Sequence, residues 1–313
     1  MQSKYDDDKS NFLGPKVTQY DGHMIMTNVN KPTKRKYINI NTAFRDEYSD
    51  YSSTSVASCE ISIQDRITDV KAMVVRNIEI PMSSYNFSSA IGNTYFQIKN
   101  GKQSVMIVIP DGEYTRDLLL EAINDAIGVQ DEPYNNLIYS TNLPPNLGST
   151  TLTLSPNSGE LEVNFAVDIN GGFDGNNFKK KMGWFLGFRN TTYKVKSTTN
   201  VVSEGFIDLL GIRYMYLVVD EYTRGTQNSF IATLPSSLVR KNILARIAMN
   251  KSTFPFGSCL PANNFNGLLL SDKRTYSGKV DIRKLSVQLV DDIGNPVSLN
   301  GLDFSFCLEV EHE

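Results

Sequence analysis

The amino-acid sequence predicts an all-β protein. Ten or more short segments show the apolar patterns of β-strands, and Gly, Pro, Asn and Asp residues lie between them. Only one segment, at about residues 115–127, has the spacing of an amphipathic helix. No internal repeat or linker divides the chain, so a single jelly-roll β-sandwich with one inserted helix explains the pattern best. An open antiparallel β domain with a small second domain is the alternative.

The strongest strand pattern lies at the carboxyl end of the chain. Five apolar residues alternate there with polar ones, which predicts a strand with one buried face. These residues are Leu302, Phe304, Phe306, Leu308 and Val310. An earlier strand pattern, at residues 280–289, changes parity at Arg283-Lys284, which predicts a β-bulge. Because turn-forming residues fill 291–296, the two strands are predicted to form a long antiparallel hairpin.

The other strands and the helix are predicted in chain order from the same signals. The strands cover residues 37–40, 59–63, 70–80, 95–98, 105–109, 137–140, 150–154, 160–168 and 214–219. Asn100-Gly101 predicts a hairpin turn, and the continuously apolar segment 214–219 predicts a central strand. Thr115 is placed to cap the helix and Gly128 to end it. The apolar stripe of the helix is Leu118, Leu119, Ala122, Ile123, Ala126 and Ile127.

Composition and charge exclude several classes of protein. The 313 residues carry a net charge of −3, which gives no bulk attraction to nucleic acid or to an anionic membrane. No apolar run reaches the length of a transmembrane segment, and the first twenty residues lack the apolar core of a signal peptide. The three cysteines are widely spaced, so neither a disulfide framework nor a zinc site is predicted. A protein made and kept in a reducing compartment fits best.

Residues 1–36 are predicted to form an extended N-terminal arm that precedes a jelly-roll domain at 37–313. The arm contains seven Lys and Arg residues and four Asp residues, so it has a net positive charge. Such a segment buries too little apolar surface to offset its ordering entropy, so a neighbouring subunit is predicted to order it. The alternative is that the arm folds back over its own sheet. The candidate assembly residues are Phe12, Leu13, Met24, Ile25, Met26, Lys31, Lys34, Arg35 and Lys36.

The search for catalytic motifs is negative. The two histidines are His23, in the arm, and His312, so no Ser-His or Cys-His pair and no metal site is predicted in the body. No phosphate-binding or dinucleotide-binding glycine motif is present. The pairs Asp220-Glu221 and Asp291-Asp292 lie at predicted strand ends and turns, where solvated carboxylates are common. The protein is therefore predicted not to be an enzyme and to need no cofactor.

Two further motifs have both a structural and a binding interpretation. The basic run at residues 31–36 could contact phosphates, but it lacks interleaved aromatic residues, so a solvated or protein-contacting run is preferred. No specific nucleic acid is therefore predicted. Trp184 could stack on a sugar, but a role in the core is preferred. Because jelly rolls also host lectins, a carbohydrate-binding attachment module is the competing class.

Several blocks of the sequence, in their order along the chain, resemble virion proteins of nucleocytoplasmic large DNA viruses. They are 37–46 (YININTAFRD), 77–81 (NIEIP), 85–88 (YNFS), 110–115 (PDGEYT), 183–189 (GWFLGFR), 213–220 (RYMYLVVD), 281–285 (DIRKL) and 300–306 (NGLDFSF). The arm lies outside the resemblance. The resemblance implies a single jelly-roll capsid component, either the penton at the fivefold vertices or a minor capsid protein beneath the major shell.

The resemblance also implies where and with what the protein acts. The penton position is preferred, with five copies side by side in a ring of heterologous contacts. A minor capsid protein that bridges capsomers is the alternative. Contacts with the major and minor capsid proteins, location in the virion capsid and assembly in the host cytoplasm are implied. The family has no catalytic, cofactor or metal residues to transfer to this chain.

Overall fold

The computed structural model describes the backbone of residues 16–20 and 23–27, and all atoms of residues 32–47, 57–141, 148–222, 242–292 and 294–313. The predicted class, an all-β jelly-roll sandwich, is confirmed, and the predicted inserted helix is present together with a second helix of 4 residues. The strands are β1 (Lys16–Tyr20), β2 (His23–Thr27), β3 (Lys34–Asn41), β4 (Ser58–Pro81), β5 (Tyr95–Asn100), β6 (Gln103–Val108), β7 (Leu137–Thr141), β8 (Thr150–Leu154), β9 (Glu160–Asn164), β10 (Thr192–Lys196), β11 (Val201–Val202), β12 (Tyr214–Asp220), β13 (Ile243–Ala248), β14 (Cys259–Asn263), β15 (Leu269–Ser271), β16 (Arg274–Val290) and β17 (Ser305–His312). The helices are α1 (Arg116–Gly128) and α2 (Met182–Phe185).

Strand β4 organises the sandwich because it pairs with different strands along its length. It pairs with β16 as far as Met73, with β17 from Val70 to Glu79, and with β14 at its end. The row β15-β13-β12-β16 and the pair β17-β3 therefore lie on opposite sides of β4. Asp69 has a positive φ of 55°, which a short polar side chain tolerates. The two groups of strands bury their apolar side chains in one shared core.

The predicted buried face of the last strand lies in this core. Phe304, Phe306, Leu308 and Val310 are all buried. Leu302, which lies in the loop that precedes β17, is 51% exposed. The alternating pattern therefore predicted the apolar face of β17 correctly, whereas Leu302 is exposed and Glu309, on the predicted polar face, is buried.

The two carboxyl-terminal strands do not form the predicted hairpin. β16 pairs with β12 and β4, whereas β17 pairs with β4 and β3, so β4 lies between them. The predicted turn does form, since Asp291 Oδ1 accepts hydrogen bonds from the N–H groups of Gly294 and Asn295 at 2.7 and 2.8 Å. Val297 and Leu299 are then buried in the core. This further connection allows the chain to reach the other side of β4.

Three other strand predictions can be compared with the structure. The segments at 59–63 and 70–80 are parts of the single strand β4, because no turn interrupts it. The strand predicted to begin at Tyr37 begins at Lys34. The predicted β-bulge is confirmed as a shift in the register of β16 on β4 between Ile282 and Lys284. Within the predicted arm, β1 and β2 form a separate antiparallel sheet of two strands.

The connection from β4 to β12 is a large insertion with a core of its own. The sheets β10-β9-β5-β6 and β11-β8-β7 surround this core together with α1. The predicted hairpin at Asn100-Gly101 joins β5 to β6, and Gly101 has a positive φ of 59°. Glycine adopts this conformation without a steric penalty. The insertion is connected to the sandwich at both ends, since it follows β4 and precedes β12.

The inserted helix α1 has the predicted cap and the predicted end. Thr115 Oγ1 accepts a hydrogen bond from the N–H of Leu118 at 3.4 Å, and the helix ends at Gly128. The apolar stripe is only partly correct, because Leu118 is exposed whereas Leu120, which the pattern omitted, is buried. Ile123 and Ile127 lie in the core of the insertion as predicted.

Candidate assembly interfaces

The candidate assembly residues of the arm fall into three groups. The first group lies outside the described residues and consists of Phe12, Leu13 and Lys31. The second group lies on β2, whose backbone alone is described, and consists of Met24, Ile25 and Met26. The third group lies on β3, which pairs with β17, and consists of Lys34, Arg35 and Lys36. The structure thus joins the basic residues 34–36 to the sandwich, and the anchors on β2 belong to a different sheet.

Glu309 on β17 is the centre of a charged cluster on the outer face of the sandwich. Its side chain is only 3% exposed. Arg76 Nε donates a hydrogen bond to Glu309 Oε2 at 2.7 Å, and Arg35 Nε lies 3.6 Å from Oε1. The hydrogen bond from Arg76, supported by Tyr37 and Arg35, outweighs the effect of burial and lowers the pKa of Glu309. Arg35 therefore has a partner within its own sheet and helps to hold β3 on β17.

Replacing Glu309 by Gln should make the fold less sensitive to acid. Because its folded-state pKa is lowered, the carboxylate stabilises the native state above its unfolded-state pKa of about 4.3, and this stabilisation is lost as the pH falls through the folded-state pKa. Denaturant unfolding should show wild type to be more stable than the variant near neutral pH, with a difference that shrinks below about pH 4. The exposed Glu121 on α1 is the control, because Glu121→Gln should give no such trend. A difference for Glu309→Gln that is independent of pH would contradict this role.

Glu221 and Arg274 form a buried ion pair beside the end of β12. Arg274 Nη1 donates to Glu221 Oε2 at 2.7 Å and to the carbonyl oxygen of Val219 at 2.8 Å. Both charged side chains are 3% exposed. The prediction that Asp220-Glu221 is solvated is therefore wrong for Glu221. The chain remains within the sandwich beyond Asp220, where β12 ends, and brings the carboxylate to Arg274 on β16.

Trp184 lies in α2, and its ring is partly buried among polar and aromatic neighbours. The guanidinium carbon of Arg189 lies 4.1 Å from the ring centroid, and Phe178 contacts the ring edge-on at 5.8 Å. Arg189 Nη1 also donates to the carbonyl oxygen of Trp184 at 3.0 Å. The ring face that Arg189 covers is therefore not available for stacking on a sugar.

A polar network centred on Asn86 holds the insertion on the sandwich. Asn86 Oδ1 accepts from the N–H of Tyr114 at 2.8 Å, and its Nδ2 donates to the carbonyl oxygens of Tyr114 and Leu209 at 2.9 and 3.2 Å. The backbone N–H of Asn86 donates to Glu113 Oε2 at 3.0 Å. Lys251, which follows β13, donates to Glu113 Oε1 at 2.9 Å. Asn86 thus joins the two ends of the insertion, and Glu113 connects this network to the sandwich through its contact with Lys251.

The described residues were compared with the side-chain groups that metal binding and a reactive thiol would need. Among them, no three His, Cys, Asp or Glu residues lie close enough together to hold a metal ion. The three cysteines are free thiols, and burial raises the pKa of Cys59 to about 11, so its reactive thiolate form is scarce near neutral pH. Over the same ranges, the structure has no helix that is long and apolar enough to span a membrane.

Large apolar side chains are exposed at separate edges of the sandwich. Around β14 and β15 these are Phe256, Phe265 and Leu270. Phe44, in the turn that follows β3, and Tyr37, on β3 itself, are exposed elsewhere. Aromatic residues at the surface are enriched in protein interfaces. The sequence did not identify these residues as interface candidates, because a residue pattern does not show which side chains of a loop or an edge strand are exposed.

No protein-family model and no curated protein matches the chain. Two solved structures with a likeness to it are those of the mavirus penton protein and the Sputnik virophage. The mavirus protein is 12% identical with a TM-score of 0.44, and the match covers 90% of this chain and 100% of that chain. The Sputnik chain is 11% identical with a TM-score of 0.40, and the match covers 90% and 98%. Likenesses at these values are too distant to transfer a function to this chain.

Proposed function

We propose that the chain is a virion structural protein of a large DNA virus and forms the penton at the fivefold vertices of an icosahedral capsid. The supporting observation is that the sequence resemblance and the fold agree. The fold is of the jelly-roll class that the resemblance implies. The first and last blocks of the resemblance, 37–46 and 300–306, meet in the sandwich, where Ile40 on β3 pairs with Phe306 on β17.

The interior blocks of the resemblance also have a structural explanation. The block at 85–88 contains Asn86, and the block at 110–115 contains Glu113 and Tyr114, so both contribute to the network that joins the insertion to the sandwich. The block at 183–189 contains Trp184 and Arg189, which stack on each other within the insertion. These residues position one part of the protein on another, which fits a structural role better than a catalytic one.

The proposed assembly is a homopentamer that also contacts the major and minor capsid proteins. Five copies would use different surfaces on their two flanks, since a heterologous contact can close into a ring. The protein would act without catalysis in the virion, after assembly in the host cytoplasm. As a minor capsid protein, the same chain would bridge capsomers and form no ring of five.

Electron cryo-microscopy of purified particles tests this proposal. A small folded tag inserted at the exposed β5-β6 turn, beside Gly101, provides a marker in a hairpin that faces solvent. We expect the additional density at the fivefold vertices, in five copies. Density beneath the shell and away from the vertices would identify a minor capsid protein and reject the penton position. Particles without any tag density would reject the virion role.

The proposed partner of the arm is a neighbouring subunit, and deleting residues 1–31 tests this. The deletion ends before β3, so the pairing of Lys34–Asn41 with β17 remains. We expect the free variant to unfold at the same denaturant concentration as wild type, but to enter particles less efficiently. Amide exchange at residues 16–27 should be fast in the free protein and slow in the assembled shell. Strong protection in the free protein would show that the arm is ordered without a neighbouring subunit, and the proposal would fail.

A further inference from the structure

The buried apolar side chains of the described residues form two large, separate clusters. One lies in the sandwich and contains Leu289 and Phe306, and the other lies in the insertion and contains Phe96 and Phe165. Among the strands that the structure describes, no strand of the insertion pairs with a strand of the sandwich. Because apolar burial is the main stabilising term in folding, each part has the core that a folding unit needs.

The two connections between the insertion and the sandwich lie side by side. Asn86, in the first connection, donates a hydrogen bond from Nδ2 to the carbonyl oxygen of Leu209, in the second, at 3.2 Å. A Cβ atom added to the neighbouring Gly211 would lie 3.4 Å from Cβ of Asn86. Gly211 also has a positive φ of 64°, which glycine adopts without a steric penalty. A folding unit whose ends are this close can be inserted into another one without distorting either.

At this junction, an ion pair and an aromatic pair cross from the insertion to the sandwich. Lys251 Nζ donates to Glu113 Oε1 and Oε2 at 2.9 and 3.2 Å, and the two side chains are only 16% and 20% exposed. The rings of Tyr85 and Phe256 stack with 5.8 Å between their centroids. One ion pair and one aromatic pair contribute much less to stability than a complete apolar core. The junction therefore couples two parts that are each more stable than the contact between them.

We propose that the insertion and the sandwich are two folding units and that the Glu113–Lys251 pair is the latch that couples them. When the latch is open, each unit keeps its own core, and the backbone around Asn86 and Tyr114 is released. Parts of a protein open in this way at lower free energies than the whole chain does. A disturbance in one unit is then not passed on to the other, which a single shared core would not allow.

Trp184 makes the two units separately observable. It is the only tryptophan of the chain, and its ring contacts Phe178 and Arg189, both in the insertion. Its fluorescence therefore reports the unfolding of the insertion, whereas amide exchange in β17 reports the opening of the sandwich.

Two core substitutions test whether the units unfold separately. Phe306→Ala, in the sandwich, should raise amide exchange in β17 at least 10-fold and leave the denaturant midpoint of Trp184 fluorescence at the wild-type value. Phe165→Ala, in the insertion, should lower that midpoint and leave the exchange in β17 unchanged. Phe306→Leu and Phe165→Leu remove less volume, so they provide the same comparison if an alanine variant does not fold.

Lys251→Ala tests the latch, because it breaks the ion pair and keeps the rest of the junction. The N–H of Asn86 donates to Glu113 Oε2 at 3.0 Å, and the N–H of Tyr114 donates to Asn86 Oδ1 at 2.8 Å. Exchange of these two amides should rise about 10-fold or more, while exchange in β5 and β17 stays as in wild type. Lys273→Ala, which breaks a 2.7 Å pair with Glu311 within the sandwich, is the matched control and should leave both junction amides unchanged.

Two results would overturn the proposal. If both core substitutions shift Trp184 fluorescence and the exchange in β17 together, then the chain is one cooperative unit. If Asn86 and Tyr114 exchange equally fast in Lys251→Ala and Lys273→Ala, then the ion pair does not couple the units. Both measurements use the free protein, so their outcome is independent of its position in a particle.

Discussion

Replacing Phe306 by Ala should destabilise the protein by roughly 3–5 kcal/mol, because it leaves a cavity in the sandwich core. Phe306 is fully buried in β17, and its ring stacks on Phe304 with 6.2 Å between the centroids. β17 pairs on both sides, with β3 and β4, so its backbone has little freedom to collapse into the vacated space. The free energy of unfolding from denaturant titration measures the loss.

Leu302→Ala is the matched control for this substitution. Leu302 belongs to the same alternating series in the sequence, but it is half exposed and precedes the strand. Its replacement should therefore change the unfolding free energy by no more than about 0.5 kcal/mol. Equal effects of the two substitutions would mean that β17 does not present this face to the core.

Replacing Arg274 by Ala should be comparably destabilising, at roughly 3–5 kcal/mol, because it leaves the carboxylate of Glu221 buried without its cation. The cost comes mainly from the uncompensated charge and not from the lost attraction. The double variant Glu221→Leu with Arg274→Met should therefore recover most of the lost stability, since it removes both charges and retains apolar volume. Thermal and denaturant unfolding of the three proteins measure these differences.

Lys273→Ala, which removes an exposed cation next to Arg274 in the sequence, is the control for Arg274→Ala. Lys273 pairs with Glu311 at 2.7 Å, but its side chain is 48% exposed, so its removal should cost at most about 1 kcal/mol. If Arg274→Ala is as mild as Lys273→Ala, then water reaches Glu221 and the pair is not buried in solution. If the double variant is as unstable as Arg274→Ala, the loss reflects packing and not charge.

Local patterns predicted the local parts of the fold. The β5-β6 hairpin and α1 were both correct, because Asn100-Gly101 and Thr115 act on residues close to them in the chain. The partners of β16 and β17 were wrong, since alternation identifies a buried face and not the strand beside it. Both strands pair with β4, which is remote in the sequence and was itself predicted as two strands.

The surfaces proposed for assembly could be predicted even less from the sequence. Arg35 was assigned to an arm from its composition, but Glu309, far away in the chain, places it on the sandwich. Phe265 has a local signal in the asparagines around it, but those residues predict a turn and not the exposure of the ring.

The pairing of β4 with strands near the end of the chain constrains how the protein can fold during its synthesis. Phe304 donates a hydrogen bond to Thr42 across 262 positions, so β3 and β4 leave the ribosome long before their last partner exists. At about 5–20 residues per second, the delay between β4 and β16 is roughly 10–40 s. In that time the insertion can complete its own core, and the hydrogen bond between Asn86 and Leu209 then brings its two ends together. A folded insertion shortens the loop that must close before the sandwich forms, so substitutions in its core should slow the folding of strands that they never touch.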